Sequence, residues 1–240
     1  MNQQTSPTEK PVLTEDSTFK FACGDTLPCF TQCCRDVNIY LTPYDVLRLR
    51  RALQVSSGEF LQRYTQHFLA KSTGIPVVQL TMDSRSLYCQ FVTPEGCSVY
   101  NDRPWACRMY PLDLGNREGE YHFIVNHEKC LGLLEPNVQT VAQYLEGQGV
   151  EPYVEMENAY QEVLPPGYKP QKSLGASLGK LLFLSYDLDR FAQLLDDRKF
   201  VSFYEIEEAL LLEAQESDEA MLKLAFLYVR SQAKELLSMF

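Results

Sequence analysis

The chain has 240 residues, with 22 Lys and Arg against 32 Asp and Glu, a net charge of −10. That surplus argues against broad binding to nucleic-acid phosphates or to anionic membranes. The one basic run, Arg48, Arg50 and Arg51, falls on a predicted helix and reads as a solvated face. Apolar residues make up 45%, enough for a real core, and no run approaches the roughly 18 apolar residues of a membrane-spanning helix.

The N-terminus, MNQQTSPTEKPVLTEDS, is polar and lacks the apolar segment of a secretory signal. Residues 1–20 are expected to be a flexible tail, and the expected compartment is the cytoplasm. Thiols stay reduced there, so the eight cysteines call for metal ligation or redox chemistry more than for disulfides. Thr42-Pro43 is a helix start, a capping residue followed by proline at the first helical position. It opens YDVLRLRRAL, in which Val46, Leu47, Leu49 and Leu53 share one side. Ser57 is expected to cap a second helix over EFLQRYTQHFLA, ended by Gly74 and Pro76. Val77 to Met82 alternates like a strand. SLYCQFV and CSVY, joined by TPEG, form a hairpin pattern, and Tyr121 to Val125 suits one more strand. Beyond it, Val138–Leu145, Val154–Val163, Leu174–Leu195 and Tyr204–Leu237 carry helical periodicity, the last broken near Ser217. Leu178, Leu181, Leu182 and Leu188 recur on one face and are expected to be buried.

The cysteines are confined to the first half. Cys23, Cys29, Cys33 and Cys34 are spaced C-x5-C-x3-C-C in a segment carrying Gly24 and Pro28, a loop wrapped around something. Cys89, Cys97 and Cys107 follow on the hairpin and the loop after it, and Cys130 stands alone. Thiolates are soft ligands that select zinc, copper(I) or iron–sulfur clusters. Adjacent Cys33 and Cys34 fit one tetrahedral ion poorly. They fit a multi-atom cluster better, or one ligates while the other packs. Neither block closes a ligand set alone, so the two are expected to meet. Tyr88, Phe91, Tyr100, Trp105 and Tyr110 provide an apolar surround. Arg103 and Arg108 flank Cys107 as cofactor-binding groups, offsetting thiolate charge and donating to sulfur. Eight thiolates can serve one centre with spare thiols, or two centres.

Two segments, CFTQCCRDVNIYLTPYDVLRL and GCSVYNDRPWACRMYP, resemble the YkgJ-type cysteine-cluster family of zinc- or iron-chelating proteins. The likeness runs over roughly residues 21–135; family members often space their cysteines more closely ahead of the CC pair. The resemblance implies a bacterial intracellular protein with a thiolate-bound metal centre; the candidate ligands are Cys23, Cys29, Cys33, Cys34, Cys89, Cys97, Cys107 and Cys130, of which Cys130 either ligates or packs. A flagellin lysine methylase shares the cysteine motif and is thought to hold an iron–sulfur cluster. The expected architecture is α+β: a small cysteine-rich metal-binding domain of short strands and helices over 21–135, then a helical accessory region over 136–240.

Iron–sulfur stands ahead of zinc, with a redox, sensing or iron-handling role. A structural zinc protein whose helical half binds a protein partner, or a methylase-like enzyme with a structural cluster, is the alternative; no catalytic residue is identifiable. The three histidines, His67, His122 and His127, read as surface or boundary residues, although His127 stands three before Cys130. Asp45 and Glu59 suit helix starts, and Trp105 suits packing around the site.

Overall fold

The computed structural model describes residues 11–71, 73–168 and 175–238. In chain order the elements are β1 (Thr18–Lys20), β2 (Tyr40–Leu41), α1 (Pro43–Leu53), α2 (Ser57–Tyr64), β3 (Thr65–Leu69), β4 (Pro76–Leu80), β5 (Val92–Thr93), β6 (Gly96–Cys97), α3 (Trp105–Met109), β7 (Leu112–Leu114), β8 (Tyr121–Phe123) and β9 (Val138–Thr140). The helices α4 (Val141–Gln148), α5 (Glu151–Gln161), α6 (Gly175–Phe183), α7 (Leu188–Leu195), α8 (Arg198–Phe203), α9 (Glu208–Glu216) and α10 (Asp218–Ser238) follow. This is the expected α+β pattern, with short antiparallel strands in the cysteine-bearing half and helices after it.

Among the described residues the strands make four small sheets: β1 with β9, β2-β4-β3, β5 with β6, and β7 with β8. Three apolar cores hold them together. One lies under β1, β7, β8, α3 and α4 and centres on Phe19, Phe21, Leu112, Val141 and Tyr144. A second joins β2, β4, α1 and α2 through Ile39, Val46, Leu49, Phe60 and Val78. The third is helical, with Leu178, Leu182, Phe191, Leu222, Ala225 and Val229, and it takes in Tyr44 and Leu47 of α1. Because α1 feeds two cores, it is the hinge plate between the cysteine region and the helices. Its start is over-determined. Thr42 Oγ1 accepts from the Asp45 N–H at 3.1 Å, and Asp45 Oδ2 accepts from the Thr42 N–H at 2.8 Å, a reciprocal cap.

Several expectations shift. Part of the proposed tail, 1–10, lies outside the described residues, but Leu13 bridges Tyr121 and β1 pairs with β9. The second helix starts one residue earlier, capped by Ser56, and ends at Tyr64. TQHFL is instead β3, paired along its length with β4; an apolar partner strand outweighs weak helical periodicity. Val138 to Thr140 is likewise a strand, since β1 offers its edge, and the helix begins after Thr140, whose side chain caps it. The span from Leu174, itself outside the described residues, divides into α6 and α7 with Asp187 capping the second. The break at Ser217 stands, its Oγ accepting from the Ala220 N–H at 3.3 Å. Leu178, Leu182 and Leu188 are buried, and Leu181 packs half-buried on the same core. Among the described residues, no helix is long and apolar enough to cross a membrane.

Candidate metal centres

The first cysteine block is a chain of tight turns. The Gln32 N–H reaches the Cys29 carbonyl at 3.0 Å, and the Cys34 N–H reaches that of Thr31 at 2.9 Å. Thr31 is left-handed, with φ of 64°, and a single 3-10 turn follows over Gln32–Cys34. In so tight a turn consecutive side chains splay apart. Cys33 and Cys34 therefore face different neighbours, although their sulfurs stay 3.9 Å from each other.

Two backbone staples then choose those neighbours. Arg35 bridges Tyr88, and the Cys89 N–H donates to the Cys34 carbonyl at 2.8 Å. Arg35 adds a bond from Nε to the Ser86 carbonyl at 3.0 Å. The two cysteine blocks do meet, and Cys34 lies beside Cys89. On the other side, the Ala22 N–H donates to the Gly132 carbonyl at 3.1 Å. A Cβ at Gly132 would lie 2.6 Å from the Ala22 carbonyl oxygen, so only glycine lets the two segments approach. This contact sets Cys23 beside Cys130.

The charges that act on each thiol sort the cysteines into two sets. Cys23 is pushed up to about 11 by partial desolvation, then by Cys33, Cys130 and Cys29. Cys34 is pushed well above the usual thiol range, first by its hydrogen bond to Cys33, then by burial, and then by the charges of Cys33, Cys107 and Cys89. Cys107 is raised by burial, then by Cys89, Asp45 and Cys97, with Arg103 opposing. Burial raises Cys89 and Cys97 as well; Cys97 adds to the shift at Cys89, and Arg103 opposes the shift at Cys97. One quartet is thus Cys23, Cys29, Cys33 and Cys130; the other is Cys34, Cys89, Cys97 and Cys107. The contact between them is the Cys33–Cys34 pair, in which the hydrogen bond from Cys34 lowers Cys33 to about 7.

The two quartets differ in their surroundings: in the first only Cys130 is buried, with Cys23 and Cys33 exposed, while most of the second lies on a core. Cys130 is buried in the first core with Phe19, Phe21 and Met109. Cys89, Cys97 and Cys107 pack on the second, beside Phe91 and Val99. Cys107 is carried by α3 rather than by a loop. That helix is tied to α1 by the Trp105 N–H, which donates to buried Asp45 Oδ1 at 2.8 Å. Asp45 is structural, as expected, and Trp105 packs between two cores.

The arginines act differently from the expected pair of sulfur donors. Arg108 is buried, and its donors go to main-chain carbonyls: Nε to Arg103 at 3.0 Å, and its two terminal nitrogens to Gln148 at 2.6 Å and Asn101 at 2.5 Å. Its guanidinium also lies 4.6 Å from the Tyr153 ring centroid. Arg108 is a brace that locks α3 to the end of α4. Arg103 donates to the Tyr100 carbonyl at 2.6 Å and to Gln148 Oε1 at 2.5 Å. Its charge acts through space on Cys97 and Cys107, opposing the rise of each.

Tyr110 was read with the second cysteine block, yet it stands on the first quartet. Its phenol is raised by burial, then by a hydrogen bond with Cys130, then by the charges of Cys130, Cys33 and Cys29. No periodicity signals this; the turn from α3 into β7 aims the ring backward. The histidines stand apart. His67 lies on β3 against Phe183 with ring centroids 4.7 Å apart, His122 is on β8, and His127 lines a surface cavity. Among the described residues, no three His, Cys, Asp or Glu side chains stand close enough to hold one ion. Ligation therefore requires the thiols of a quartet to draw inward. The donor chemistry fits a soft metal centre, with four thiols per set.

No curated protein and no solved structure matches the chain. Residues 22–131, the stretch holding all eight cysteines, match the model of the CxxCxxCC family, described as a putative zinc- or iron-chelating domain.

Proposed function

We propose that the protein is a thiolate-ligated metal-binding protein with two centres, each closed by four cysteines, and that it uses iron–sulfur chemistry in a redox, sensing or iron-handling role. Cys23, Cys29, Cys33 and Cys130 hold the first centre; Cys34, Cys89, Cys97 and Cys107 hold the second. The division of eight thiols into two quartets carries this reading. When bound, the metal would supply one-electron chemistry or iron storage, and the chain supplies the thiol ligands and, at the second centre, the opposing charge of Arg103 and an apolar floor. The spacing of the second quartet supports iron–sulfur over zinc, whereas Cys29 and Cys33 of the first keep a C-x3-C spacing that zinc also uses. Zinc sites built from cysteine draw their ligands as close pairs, about two to four residues apart. In the second quartet the ligands come from four separate segments, the distributed pattern that cluster-binding chains also use.

Purification under anaerobic conditions, followed by iron, zinc and acid-labile sulfide analysis, tests the assignment. The expected product is brown, with iron and sulfide in comparable amounts. A colourless protein with stoichiometric zinc and no sulfide would overturn the iron–sulfur reading and leave a structural zinc protein.

A further inference from the structure

A cavity of about 650 Å³ opens between β1 and the segment that follows β8. That is within the usual range of small-molecule sites, about 300–1,000 Å³. Phe19, Phe123 and Leu133 form its apolar wall, and Ile124 and Leu134 lie along it, 46% and 61% exposed. The charged residues that line it are cations, Lys20 and Lys129, with His127 beside them and no carboxylate. Neither lysine makes an ion pair among the described residues, although the chain carries a net charge of −10. Glu128, the nearest acid in sequence to Lys129, is turned to Asn126 Nδ2 at 3.4 Å.

A cationic rim over an apolar wall, on an acidic protein, is complementary to one kind of ligand. We propose that this cavity binds an aliphatic carboxylate, with the carboxylate between Lys20 and Lys129 and the chain along Phe19, Phe123 and Leu133. The loop that forms one wall also carries Cys130, whose N–H donates to the Asn126 carbonyl at 2.9 Å. Ligand binding and the first quartet therefore share one structural segment, but the site does not depend on which metal is bound.

Calorimetric titration of the full chain, as purified, with decanoate, hexanoate and decanol tests the proposal. One decanoate per chain is expected. Hexanoate should bind weaker by about fourfold for each methylene lost from the wall, and decanol at least about tenfold weaker than decanoate. Lys20→Gln and Lys129→Gln should each weaken decanoate about fivefold while leaving decanol and the thermal midpoint unchanged; Lys20→Arg should retain binding. Absence of saturable binding, equal affinity for decanol, or full decanoate affinity in both glutamine variants would overturn it.

Discussion

Arg108 shows how one side chain decides the shape of the second quartet. Its guanidinium satisfies three carbonyls on two segments, those of Asn101 and Arg103 in one turn and that of Gln148 at the end of α4. Arg108→Ala leaves them unpaired, that of Arg103 in the interior, and it should cost about 3 kcal/mol in chemical denaturation. Arg108→Lys should recover little of this, because an ammonium cannot span three divergent acceptors. Tyr110→Phe is a finer probe of the first quartet. It removes the hydroxyl that lies beside Cys130 and should lower stability by at most about 1 kcal/mol. It should also quicken chelator-driven loss of one metal fraction while leaving the other unchanged; a uniform change in both fractions would separate Tyr110 from the first quartet. At this scale the sequence identifies the eight thiols and the two arginines but not their roles. Which way Cys33 and Cys34 point depends on the left-handed Thr31, and that conformation has no signature in residue type.

Among the elements, the contact of β1 with the Cys130 loop bears most weight. Gly132 admits the Ala22 carbonyl at a distance that a methyl group would occupy. Gly132→Ala should destabilise the fold by about 1–3 kcal/mol and reduce metal held by the first quartet before that held by the second, as measured by metal content of the folded fraction. Equal loss from both would mean that the contact supports the fold only. Elements with strong local signals are legible in the sequence. The Thr42-Pro43 start, the hairpin turning at Pro94-Glu95 and the break at Ser217 belong to this group. The misread elements are those decided by a distant partner: TQHFL becomes β3 because β4 lies alongside, and Val138 to Thr140 becomes β9 because β1 does. The pairing of residues so far apart leaves no periodicity to read.

Over the whole molecule, three cores meet at α1 and α3; most of the second quartet sits on one of them and Cys130 of the first on another, while the helices build the third. Phe191 is fully buried in the helical core, far along the chain from any cysteine. Phe191→Ala should cost about 3–5 kcal/mol with metal content per folded chain unchanged; loss of metal from folded protein would tie the helices to the centres directly. The measurement that bears most directly on the two-centre reading is metal and sulfide content in Cys33→Ser and Cys34→Ser, neighbours in sequence assigned to different centres. Each variant should lose about half the bound metal, because an alcohol is a poor substitute for a thiolate ligand. The double variant should lose nearly all of it. If either single substitution empties the protein completely, or if the double variant loses no more than one of the singles, the eight cysteines do not form two independent centres.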